Sequence, residues 1–354
     1  MLFNDNIHKE TDICFLDVVP GSDTLLVSEL LQNSEISPED TYLYITSDDA
    51  SMSVAADSIR FFCPDINVFQ VPAWDCLPFD RVPPRREIMA TRMGSLQRIS
   101  EKRTNKNRSL LVTTVSAVLQ RVPPKELTMN NYFKLFVGGQ IDSERLMNFF
   151  LSNGYLRTGT VREPGEFAVR GGIIDVFPPG VNNPVRLDLF GDTLENIHSF
   201  DAITQRTSGA CNSLLLSPSN EILTNEETFE SFRTKYRKLF GLPSNDDTLY
   251  QNVSEGIRFP GMEHWLPLFY NSLNTIFDYT QGTIFLGLGV EEAVDARLEL
   301  ISDYHNARLE SSLNTSSDEP AYKPLPIDYL YISRKEWNNS LDGRVIKKFY
   351  SYQK

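Results

Sequence analysis

Cysteine is scarce in this chain. Four thiols occur in 354 residues, Cys14, Cys63, Cys76 and Cys211. None forms a C-x-x-C pair, so neither a zinc ribbon nor a thioredoxin-like redox motif is present. Scattered thiols in a long chain suit a reducing cytosol, and a cytoplasmic location is the expectation. Histidine is equally sparse: His8, His198, His264 and His305 lie far apart, outside any H-E-x-x-H arrangement. A G-x-S-x-G nucleophile elbow is missing. No apolar run approaches the roughly 20 residues of a membrane helix. The opening MLFNDNIHKETD is acidic and polar, unlike a secretory leader. Positive charge is in deficit, with 34 Lys and Arg against 47 Asp and Glu and a net charge of −13. That argues against nonspecific nucleic-acid binding by the chain as a whole. So many carboxylates also form pairs by chance, so no glycosidase-like dyad can be singled out.

A working phosphate loop is lacking too. VVPGSDTLLVSELL follows a strand, turns on Pro20 and Gly21, and enters a helix where such a loop belongs. The loop needs a Gly-Lys pair to reach the β and γ phosphates and a following hydroxyl for Mg²⁺. No Gly-Lys pair occurs anywhere in the chain, and Asp23 opposes a phosphate at the helix N-terminus. The partner half of an ATPase site, a strand ending in Asp-Glu, is missing from TIFLGLGVEEAV. There Glu291 and Glu292 arrive late, as first-turn helix residues. An active ATPase is therefore the weakest reading.

What is present is an α/β pattern interrupted once. Residues 1–125 alternate strand-like segments (DICFLDV, TYLYIT, INVFQVP, SLLVTT) with helical ones, the second opened by a capping Asp-Asp. Such alternation predicts a parallel sheet covered on both faces. Residues 126–209 change character. A helix, SERLMNFFLSNG, precedes short strands divided by Gly, Pro and Asn turns, the mark of an antiparallel meander inserted into the first domain. Residues 210–332 return to α/β, with a Thr224–Glu227 capping box opening one helix. Residues 333–354 open on a Ser333–Glu336 cap and are expected to lead away from the body as a terminal helix or linker. The expected fold is a split parallel α/β domain with a smaller inserted α+β domain carrying an antiparallel sheet.

Two features carry binding chemistry. Arg81 to Arg108 holds nine basic and two acidic residues, against the sign of the chain. A solvated helix face explains such a run, and a phosphate-tracking surface is the alternative, with Arg85 and Arg86 as candidate DNA contacts. The meander offers the second. In GEFAVRG, Ala168 and Arg170 share a face. In PVRLDLF, Arg186, Asp188 and Phe190 share one, opposite Val185, Leu187 and Leu189. Two arginines and an aromatic on one side of a small sheet have the make-up of a protein-binding hot spot. The competing arrangement buries Phe190 under a helix and pairs the arginines with Asp188 and Glu166.

Several stretches in order, VPAWDCLPFDRVPP, EIMATRMGSLQRI, LLVTTVSAVLQRVPP, EPGEFAVRGGIIDVFPPG, VRLDLFGDTLENIHSFDAITQRT and GMEHWLPLFY, resemble the N-terminal module of bacterial transcription-repair coupling factors. That module is itself similar to the damage-recognition helicase UvrB. The missing ATPase motifs depart from UvrB. So does the lack of room between LPFDRVPP and LLVTTVSAV for the Tyr-rich hairpin with which UvrB grips DNA.

The resemblance implies that the parallel sheet is a degenerate helicase-like one, with domains 1a, 2 and 1b at the boundaries above, and a non-catalytic module that recruits UvrA to stalled RNA polymerase. In the family the UvrA contacts centre on an arginine of an xxRG strand and an arginine and phenylalanine of an RLDFF-type strand, which match Arg170, Arg186 and Phe190. It further implies an intact protein with an RNA-polymerase-binding domain and an ATP- and Mg-dependent double-stranded DNA translocase. A C-terminal domain masks the UvrA face in that protein. This chain, stopping at Lys354, is expected to be a fragment without a cofactor of its own.

Overall fold

The computed structural model of the chain describes residues 12–33, 40–101, 108–244, 246–313 and 322–351. The chain opens with β1 (Asp12–Phe15), α1 (Ser22–Asn33), β2 (Thr41–Thr46), α2 (Asp49–Phe62), β3 (Asn67–Val71), α3 (Arg86–Ser100), β4 (Ser109–Thr114) and α4 (Val115–Val118). Next come α5 (Lys125–Asn130), β5 (Phe133–Phe136) and α6 (Ser143–Ser152). They lead into β6 (Leu156–Arg157), β7 (Glu166–Arg170), β8 (Ile173–Val176), β9 (Val185–Phe190), β10 (Thr193–Phe200), β11 (Thr207–Cys211) and β12 (Ser213–Leu216). The return half holds α7 (Glu226–Phe240), α8 (Thr248–Ser254), β13 (Ile284–Leu286), α9 (Val290–Leu313), α10 (Ile327–Leu330), α11 (Arg334–Leu341) and β14 (Ile346–Phe349).

β2 and β4 are buried along their whole length, as continuous apolar strands of a doubly covered parallel sheet should be. Successive side chains point to opposite faces. Leu43, Ile45 and Leu111 therefore join Leu96, Val294 and Trp337 in one core. Tyr42, Tyr44, Leu110 and Val112 join Val27, Leu30 and Ile59 in another. α1 and α2 thus cover one face, and α3, α9 and α11 the other. The sheet order is β1-β14-β13-β2-β4-β3, and every pairing is parallel. Two strands from the end of the chain stand between β1 and β2, so the α/β unit closes only after residues 115–283 have been threaded out and back. This is the split architecture the alternation predicted.

The interruption carries a second sheet, β11-β10-β9-β8-β7-β6. It is an antiparallel meander from β7 to β11, with β6 added in parallel at one edge. Its inner face (Phe167, Ile174, Val176, Val185, Leu187) packs on Leu146, Phe149 and Phe150 of α6. Phe150 and Phe167 stack at 4.6 Å.

Three expectations need correcting. The terminal segment does not lead away. Ser333 and Glu336 do form the capping box, but the helix they start buries Trp337 completely, and β14 fills the gap between β1 and β13. The polar spelling RKEWNNSL hides a single deep anchor, and IKKF is too short to announce itself as a strand. The capping box of α7 is Asn225 with Thr228. Thr224 instead donates its hydroxyl to the carbonyls of Leu151 and Ser152. The 209/210 boundary cuts β11, and β12 pairs with β5, so the strand-rich unit runs past residue 210. TSGACNSLLL has no clear alternation, and the partner of its second half lies far back in the sequence.

Candidate protein-recognition site

The register of the meander decides which side chains share a face. Ala168, Asp175, Arg186 and His198 form one cross-strand row. Arg170, Ile173 and Asp188 form the next. Phe190 lies two residues further along β9 on the same side. Arg170, Arg186 and Phe190 therefore emerge together, opposite the α6 core.

Both arginine-170 and phenylalanine-190 stand just before a two-residue hairpin whose first central residue is glycine, Gly171 and Gly191, each at φ +60°. A type II′ turn requires that conformation, and it matches the twist of the flanking strands. The Leu189 N–H donates to the Gly172 carbonyl at 2.7 Å, which continues the β8–β9 ladder up to the first of these turns. Phe190 is 76% exposed, so the arrangement that buries it under a helix is excluded.

The arginines do not pair with Asp188 or Glu166. Asp188 lies 3.9 Å from His198, and Glu166 accepts the N–H groups of Arg162 and Glu163. Arg186 instead donates Nε to Asp175 Oδ1 at 2.7 Å and Nη2 to Oδ2 at 3.0 Å. Its guanidinium lies over the Phe200 ring, 4.9 Å from the centroid. The Asp175 hydrogen bonds hold its pKa above the ordinary arginine value. Arg170 is exposed and tied to the Gly159 carbonyl and to Thr160 Oγ1. Asp175 and Phe200 were not foreseen as site residues. The available signal was one acid inside the apolar strand IIDVF; its partner appears only once β8 is paired with β9.

The basic run does not make a continuous surface. Arg92 is completely buried in an ion pair with Glu221, and donates Nη1 to the Pro72 carbonyl at 2.7 Å. Arg108 donates to the Leu31 carbonyl. Arg85 is exposed but bonded to Asp75 at 2.9 Å. Arg86 is exposed at the start of α3. Lys102, Arg103 and Lys106 lie outside the described residues. Helical periodicity explains the break: the face of α3 that carries Met89, Met93 and Leu96 also turns Arg92 inward.

At the would-be phosphate loop a cavity of about 400 Å³ opens between Gly21, Asp23, Tyr44, Thr46, Ser51 and Gly287. Asp23 accepts the Gly21 N–H at 3.2 Å and the Tyr44 hydroxyl at 2.6 Å. Burial, with Asp23 adding to it, pushes the Tyr44 hydroxyl well above its ordinary pKa. Glu291, in the first turn of α9, pairs with Arg334 at 3.0 Å and Lys348 at 3.2 Å. Among the described residues no group of three or more His, Cys, Asp or Glu is placed to hold a metal ion. No helix among them is long and apolar enough to cross a membrane.

The UvrB interaction domain family matches residues 133–222, the stretch that contains Arg170, Arg186 and Phe190. The transcription-repair-coupling factor of Rickettsia bellii is 30% identical over 300 residues, covering 84% of this chain and 26% of that protein. That of Haemophilus influenzae is 30% identical over 274 residues, 77% of this chain and 23% of that protein. That of Escherichia coli is 28% identical over 277 residues, 77% and 24% respectively. The chain thus spans about a quarter of the length of these relatives. With a UvrB interaction domain set into a split parallel α/β domain, the chain is a UvrB-like module belonging to the transcription-repair-coupling factor family.

Proposed function

We propose that the chain is a non-catalytic adaptor that binds UvrA through the outer face of the β7–β10 meander and so brings nucleotide excision repair to stalled transcription. The observation that carries this reading is Phe190, 76% exposed beside two arginines on one rigid sheet. An uncovered aromatic flanked by arginines is the composition of an interface centre. Phe190 would fill an apolar pocket of the partner, and Arg170 and Arg186 would donate charge-assisted hydrogen bonds to its carboxylate or carbonyl oxygens.

The division into domain 1a, inserted domain 2 and domain 1b belongs to the same reading, as does the silence of the phosphate loop, where Asp23 already accepts the Gly21 N–H. In the intact protein, RNA polymerase, double-stranded DNA, ATP and Mg would engage other domains. A C-terminal domain would mask this face until activation, all in the cytoplasm. A duplex-DNA role for Arg85 and Arg86 is weakened by the burial of Arg92 and the Asp75 pairing of Arg85.

Titrating UvrA against the chain tests the proposal. Phe190→Ala should weaken binding by about 2 kcal/mol or more while leaving the melting temperature unchanged, because the ring is exposed. Normal UvrA capture by both Phe190→Ala and Arg186→Ala would refute it.

A further inference from the structure

Arg186 is already held before any partner arrives. Asp175 is 1% exposed, and both its oxygens are engaged by the arginine's side-on edge, Nε and Nη2. Phe200 forms the floor beneath the guanidinium. That ring is itself fixed in a small second core with Val161, Ala168 and Phe177, on the outer side of the sheet. Its backbone N–H donates to the Pro184 carbonyl at 3.0 Å. The guanidinium thus has one edge and one face occupied by its own domain. The end-on edge, Nη1 with the remaining Nη2 hydrogen, takes no part in the contacts with Asp175, and the Arg186 side chain stays 23% exposed.

We propose that Asp175 and Phe200 are positioning residues for partner recognition, fixing Arg186 so that its end-on edge meets a carboxylate or carbonyl oxygen of UvrA. The inference rests on the reading that Arg186 contacts UvrA. A free arginine loses much of its rotamer freedom when an interface forms. Here that loss is taken on folding, so the arginine contributes more at the moment of binding. The remaining face points away from Phe200, toward the approaching partner.

A double-mutant cycle on the full chain tests this, with UvrA as the probe. The variants are Asp175→Asn, Phe200→Leu, Arg186→Ala and Phe190→Ala, singly and paired. Asp175→Asn is expected to weaken binding about tenfold, and to add nothing in the Arg186→Ala background, because contacting residues couple. In the Phe190→Ala background it should keep its full tenfold effect. Phe200→Leu keeps the second core filled and removes only the stacked ring, so it carries the same test if Asp175→Asn fails to fold.

An Asp175→Asn loss that persists in full beside Arg186→Ala would show a general destabilisation and overturn the proposal. Wild-type affinity for both Asp175→Asn and Phe200→Leu, with Arg186→Ala weakened, would overturn the proposal while sparing the recognition reading. Wild-type affinity for Arg186→Ala would overturn both.

Discussion

Gly94 lies in the middle of α3, where helix propensity alone recommends alanine. The exchange is worth about 1 kcal/mol in favour of Ala in an open helix. The structure reverses that sign. A Cβ built on Gly94 would come within 2.6 Å of the Gly180 nitrogen and 2.9 Å of Gly180 Cα and the Pro179 carbonyl carbon. All three are backbone atoms, so no rotamer change relieves the clash. Ordinary contact begins at 3.4 Å, so the Pro179–Gly180 loop of the inserted unit must retreat by roughly 0.8 Å from α3, which overpacking of this kind charges at about 1–3 kcal/mol. Gly180 itself sits at φ +75°, a conformation that limits how the loop can move. After subtracting the propensity gain, Gly94→Ala should lose up to about 2 kcal/mol, seen as a lower urea midpoint at unchanged slope. A midpoint that rises by the full propensity gain of about 1 kcal/mol would refute the claim that α3 and the insertion meet backbone to backbone.

Three further outcomes follow from buried groups. Glu221→Ala strands Arg92 without its carboxylate and should cost about 3–5 kcal/mol in urea unfolding; the double variant Arg92→Met, Glu221→Leu should recover most of it. Trp337→Ala should cost about 3–5 kcal/mol, because the ring is completely buried and packs edge-on to Phe277 at 5.7 Å; a loss under 1 kcal/mol would place α11 outside the core. Glu263 has its pKa raised above the ordinary 4.5 by burial. As pH rises past about 4.5 the unfolded chain gives up this proton first, so stability falls until the folded value is passed. Glu263→Gln should therefore melt higher than the parent at pH 7 and converge with it at pH 4, in paired thermal scans.

Much of the fold was legible because its elements obey short-range rules. TYLYIT and SLLVTT are apolar on both faces and became the centre of a parallel sheet. GEFAVRGGIIDVF and PVRLDLFGDTLENI alternate about glycine turns and became hairpins. Asp48 caps α2 through the Ser51 N–H at 2.8 Å. Illegible were the pieces whose role depends on a distant partner: β14, four residues long between two strands, and β12, paired with β5 across the whole meander. Arg92 shows the same limit in the site, since a charge run reads as surface until the helix carrying it is docked.

The sequence by itself determined that Arg170, Arg186 and Phe190 could share a side, because a strand has a period of two and the turns between the strands are glycine-marked. It also determined that no lysine awaits a phosphate at the Pro20–Gly21 turn. Only the tertiary structure decided that Phe190 is uncovered, since this depends on whether another element packs over the outer face of the sheet. Only the structure could pair Arg186 with Asp175 rather than with the nearer acid Asp188. A strand's alternation fixes which way a side chain points, but cross-strand register alone fixes what it meets.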